Sequence, residues 1–119
     1  MIAVTNRVPV AEGWESEFED RFRKRVHLVD AAPGFVRNEV HRPRPMKFDP
    51  ESGGWGPDPD GEGYYEIKTW WQSMDDFVAW TQSAAFAEAH KRKTPEAMFR
   101  GANVMEVHEV FLSTDLAVS

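Results

Sequence analysis

Apolar and polar residues alternate from the start of the chain. Ile2, Val4, Val8 and Val10 share one parity, and Ala3, Thr5, Arg7 and Pro9 the other. That is the period of a strand with one buried face, predicted over 2–10. Asn6 falls in phase with the valines. A carboxamide on a buried face is costly unless something bonds it. Asn6 therefore meets a backbone group or a water, the commoner case, or it is aimed at a ligand. After a turn at 11–13, Trp14, Phe18, Phe22, Val26 and Val29 recur at helical spacing, which predicts a helix over 14–30. Its early acids and late bases suit the helix dipole. Arg21 and Arg25 flank the apolar stripe, as solvated charges or as a cationic edge for an anion.

Ala-Ala-Pro-Gly at 31–34 stops that helix. A second strand is predicted over 35–44, with Phe35, Arg37, Glu39 and His41 on one face and Val36, Asn38 and Val40 on the other. Its mixed polarity marks an edge or a half-buried strand. Residues 45–63 are dense in proline, glycine and acid and have no period, so they form a long loop or an extended hairpin excursion. Trp55 alone argues for packing there, with a lid as the only role in view. A third strand over 64–71 points Trp70 and Trp71 in opposite directions. The Glu66/Lys68 face is the wetter one, so Trp71 goes to the helix-covered interior and Trp70 to a subunit contact. Ser73, with Asp76 three residues on, caps a short helix through Trp80; Ser83 caps the next, which ends at His90. A last strand is predicted over 103–113.

The order is strand, helix, strand, strand, helix pair, strand. This predicts an α+β, ferredoxin-like split βαβ fold, with a four-stranded antiparallel sheet covered by helices on one face. The whole chain, 1–119, reads as one domain with an insertion at 45–63. The second sheet face also needs cover. A second copy supplies it most economically, giving a homodimer whose two sheets pack into one α/β barrel.

A net charge of −6 argues against a nucleic-acid partner, because phosphate backbones need a basic surface. The chain has no cysteine, which excludes disulfides, thiolate metal sites and cysteine nucleophiles. No run approaches membrane-spanning length, and the N-terminal stretch is too short and too polar for a signal peptide. These features predict a cytoplasmic protein with no membrane partner. Five tryptophans and eight phenylalanines are many for this length, and a cofactor pocket or subunit interface would use them.

The stretch 69–90 holds the candidate chemistry. Ala84, Ala85, Ala87 and Ala89 leave little bulk around His90, which shares a helical face with Phe86. Space for something flat beside an imidazole suggests an axial ligand to a planar metal macrocycle. The plainer reading is a surface helix whose last turn carries His90, Lys91 and Arg92 to suit its dipole, and spacing alone favours that.

The motifs V-T-N-R-V at 4–8, R-F-R-K-R at 21–25, A-A-P-G-F at 31–35, the T-W-W-Q-S strand end and S-A-A-F-A-E-A-H together carry a likeness. The chain resembles the dimeric, ferredoxin-like proteins of the antibiotic biosynthesis monooxygenase (ABM) superfamily, and most of all its IsdG-type heme-degrading monooxygenases. The likeness covers nearly all of the chain outside 45–63. It implies that Asn6 is the distal asparagine that bonds iron-bound oxygen, that Trp71 presses on the porphyrin, and that His90 ligates the iron. It further implies that Phe22 lines the pocket and that Arg25 sits near the propionates. Heme b would be substrate and prosthetic group together. O2 and an external electron donor, delivered by a reductase, would open the ring and release iron. The alternatives are a cofactor-free ABM monooxygenase of a quinone-like aromatic, which needs no axial histidine, and a non-catalytic heme-binding dimer.

Overall fold

The structure is a computed structural model describing residues 1–25, 28–91 and 94–114; of Arg25 it describes the backbone alone. The parts of the expected first helix at 26–27 and of the connection at 92–93 lie outside the described residues. Four long strands, β1 (Ile2–Val8), β2 (Phe35–His41), β5 (Tyr65–Trp71) and β6 (Val104–Glu109), form one sheet in the order β2-β5-β1-β6. All three pairings are antiparallel. Helices α1 (Glu15–Arg25), α2 (Met74–Thr81) and α3 (Ala84–His90) complete the α+β, ferredoxin-like architecture that the periodicity predicts. Pro9 has no N–H to give a ladder, and β1 ends before it; Val10 resumes as a single bridge to Phe99.

The 45–63 excursion contains a hairpin, β3 (Met46–Asp49) with β4 (Gly54–Pro57). Phe48 and Trp55 pair across it with ring centroids 5.5 Å apart, and Trp55 is otherwise 71% exposed. One strand face differs from its expected alternation. A register shift between Phe35 and Arg37 puts Phe35 opposite Trp71 and Arg37 opposite Trp70. Phe35 thereby joins Asn38 and Val40 on the helix-covered face, while Arg37, Glu39 and His41 take the other. An extra residue in a strand reverses every side chain beyond it.

The interior is divided. One buried cluster joins Val8, Val10, Phe18, Tyr65 and Met98; the other joins Ile2, Val4, Val29 and Trp71. Both helical starts are capped as their sequences suggest. Ser73 Oγ accepts from Asp76 N at 3.1 Å, and Ser83 Oγ from Phe86 N at 3.1 Å. Each such cap stabilises by about 1 kcal/mol. Gly34 has φ of 79°, and a Cβ there would strike the Asp76 side chain. The Pro-Gly stop thus also seats the start of α2, through Gln72 N donating to Gly34 O at 2.8 Å.

Glu19 ties α1 to the sheet. Its carboxylate accepts from Arg42 Nε at 2.8 Å and from the Tyr65 hydroxyl at 2.5 Å, and its side chain is only 15% exposed. Hydrogen bonding by Arg42 and then by Tyr65 lowers the Glu19 carboxyl to about 2. Burial and the Glu19 bond push the Tyr65 hydroxyl up to about 12. A carboxyl lowered on folding stabilises above its unfolded value and loses that contribution as pH falls toward the folded one. Thermal stability therefore declines between about pH 4.5 and pH 2. Glu19→Gln lowers stability at pH 7 by about 1–2 kcal/mol and flattens this acid limb, as melting curves across that range will read.

The helix-free face is polar. Arg7 lies 3.5 Å from Glu66 and 3.3 Å from Glu106, and the Arg37 guanidinium stacks 4.0 Å over the Trp70 ring. Among the described residues, no helix is long and apolar enough to cross a membrane.

Candidate active site

Between the two buried clusters the helix layer leaves a cavity of about 370 Å³. The volume lies within the range of small-molecule sites. Neither α2 nor α3 buries a residue fully. The sheet supplies the floor through Val4 and Asn6 of β1, Asn38 of β2, and Ile67 and Thr69 of β5. Phe22 of α1, Phe77 and Trp80 of α2, and Phe86, Ala89 and His90 of α3 supply the walls.

Asn6 and His90 thus line one cavity, from the floor and from the helical wall. The Asn6 Oδ1 accepts from Asn103 Nδ2 at 2.9 Å. That bond occupies the oxygen and leaves the Asn6 amide N–H groups to donate. His90 is fixed twice. Its ring stacks on Phe86 with centroids 4.0 Å apart, and its Nδ1 lies 2.8 Å from the Phe86 carbonyl oxygen. A carbonyl only accepts, so neutral His90 carries its proton on Nδ1 and keeps a lone pair on Nε2. Such a bond from the other ring nitrogen is what orients a metal-ligating histidine.

The remaining expected residues fall in different places. Phe22 lines the cavity wall. Arg25 ends α1, and its side chain is outside the described residues. Trp71 requires a correction. Its parity sends it to the helix-covered face, but it is 0% exposed and does not line the cavity. Phe77 and Trp80 pack against it at centroid distances of 5.8 Å and 6.3 Å, and its Nε1 donates to Thr69 Oγ1 at 2.9 Å. The indole on the cavity wall is Trp80, which meets Phe86 edge-on at 5.7 Å. None of the hairpin residues lines the cavity, so 45–63 has no lid contact.

Among the described residues, no group of three or more His, Asp or Glu side chains is placed to hold a metal ion. A metal at His90 would bring its other ligands with it, as one inside a macrocycle does. The cavity, the free Nε2 of His90 and the amide N–H groups of Asn6 that share it fit such a guest.

Comparison with known proteins bears on the same residues. The family model described as antibiotic biosynthesis monooxygenase matches residues 1–92. The chain belongs to this family. Among ABM relatives, a heme oxygenase (staphylobilin-producing) of Staphylococcus haemolyticus is 34% identical over 93 residues, 78% of this chain and 76% of its own length. The heme degrader MhuD of Mycobacterium tuberculosis, solved with two hemes bound in its active site, superposes with a TM-score of 0.70 at 26% identity. That match covers 96% of this chain and 99% of MhuD. SnoaB of Streptomyces nogalater, a cofactor-independent oxygenase, superposes at 0.65 with 18% identity over 96% of each chain, a likeness of fold alone. The family model spans Asn6, Phe22 and His90 and ends before Asn103 and β6.

Proposed function

We propose that the protein is a heme-degrading monooxygenase. It opens the porphyrin ring with O2 and electrons from an external donor, and it releases the iron. One observation carries this: His90, locked by Phe86 with Nε2 free, shares a cavity with an Asn6 amide whose oxygen is already occupied. The names of the relatives and the hemes held by MhuD support the same reading.

His90 Nε2 would hold the iron of a bound heme, and Asn6 Nδ2 would donate to oxygen within the same cavity. Bound heme supplies the redox chemistry and is itself consumed. Trp80, Phe77 and Phe86 exclude water and bear on the ring, with Trp80 in the part first expected of Trp71. Phe22 closes the α1 side. Arg25 stays assigned to the propionates on resemblance alone. We further read the chain as one domain working in the cytoplasm. Its polar sheet face meets a second copy in a shared barrel, and a reductase delivers the electrons.

The test is direct. Hemin titrated into the protein produces a Soret band with one-to-one saturation. Ascorbate in air, with catalase present, then removes that band and delivers chelatable iron. A Soret band that survives reductant marks a non-catalytic binder. A Soret band that stays that of free hemin throughout the titration favours a cofactor-free oxygenase.

A further inference from the structure

Asn38 lines the cavity floor from β2, and neither the family likeness nor the reading above gives it a task. It stands opposite Thr69 of β5, on the helix-covered face. Its Oδ1 is buried with no hydrogen-bond partner among the described residues. A buried carboxamide oxygen without a donor lowers stability, and native proteins rarely keep one. Turning the amide over only exchanges which end is stranded. With Oδ1 in the wall, Nδ2 is the end turned to the cavity. The next residue on this face, Val40, is apolar and packs against the core, so an aliphatic side chain suits this stretch. An uncompensated polar group on such a face is the signature of a functional position.

Its place on the floor gives it a role. Asn6 pairs with Ile67, and Asn38 with Thr69, from opposite sides of β5. Two strand spacings across and two residues along set their Cα atoms roughly 12 Å apart. The two amides therefore underlie different edges of a flat guest. A ring held only at His90 is free to turn about that bond, whereas a second contact fixes it.

We propose that Asn38 is a specificity-determining contact: its Nδ2 donates to a carboxylate on the edge of the guest remote from Asn6. It thereby decides which carbon of the ring lies where oxygen is delivered. This rests on the heme reading, with hemin as the probe.

Asn38→Leu and Asn38→Asp test it through three measurements: hemin affinity from tryptophan quenching, melting temperature without hemin, and the ratio of ring-opened isomers. Asn38→Leu keeps or raises the melting temperature, weakens hemin by about three- to tenfold, and broadens the isomer mixture. Asn38→Asp sets a carboxylate against the acceptor and weakens hemin more than about tenfold. Wild-type affinity and an unchanged isomer ratio in both variants overturn the proposal. So does a fall of several degrees in Asn38→Leu, which would make the amide a structural group. Failure of the wild type to bind hemin overturns the heme reading and this proposal with it; tight wild-type binding that ignores Asn38 overturns this proposal alone.

Discussion

His90→Ala removes ring opening, with turnover of hemin falling by at least about a hundredfold. Changes to groups that merely orient a metal ligand cost 10–100-fold, and loss of the ligand itself costs more. The geometry makes the effect separable from unfolding. His90 is exposed at the end of α3, and its two contacts, the Phe86 ring and the Phe86 carbonyl, lie within its own helix. The substitution opens no hole in either buried cluster, so the melting temperature moves little. The Soret maximum shifts toward that of unligated hemin. Imidazole added in solution restores part of the band, because the space left by the ring is the space it enters. Wild-type turnover in His90→Ala would remove the axial role from His90 and leave heme degradation to proceed without it.

Much of this site is legible in the chain because its signals are local. Phe86 and His90 are four apart on one helix, and the structure stacks them. Ser73 and Ser83 announce the starts of α2 and α3, and both caps form. Asn6 announces itself by breaking the parity of β1, and it faces the cavity as that phase implies. What stays hidden is set by long-range packing. Asn103 occupies the oxygen of Asn6 across 97 positions of sequence, and only the β1–β6 pairing brings them together. The register shift in β2 depends on what β5 presents to it, and a strict alternation past Phe35 reads the wrong face. Asn38 looks like one polar residue in a mixed strand until its buried, partnerless oxygen is seen.

The tryptophans show the same limit, and they separate in experiment. Parity says that Trp71 points under the helices, but not whether it meets a guest or the core. Trp71 is wholly buried among Ile2, Val4, Phe35, Phe77 and Trp80. Trp71→Ala therefore costs about 3–5 kcal/mol, the usual loss for a large aromatic cut from a core. That is a large share of the roughly 5–15 kcal/mol that holds a domain together. Trp71→Phe keeps most of the contacts, forfeits the bond to Thr69, and folds with a smaller loss. Its affinity for hemin stays within about twofold of wild type, since a 1 kcal/mol change at the cavity would already exceed that. Trp80→Phe shows the opposite pattern: a smaller loss of stability from a half-buried site, but a perturbed Soret band and slower ring opening, because its indole lies on the wall. Denaturant melts beside hemin titrations of Trp71→Phe and Trp80→Phe decide between them. If Trp71→Phe disturbs the hemin spectrum while Trp80→Phe leaves it untouched, the ring lies against Trp71, and the wall described for this cavity is the wrong one.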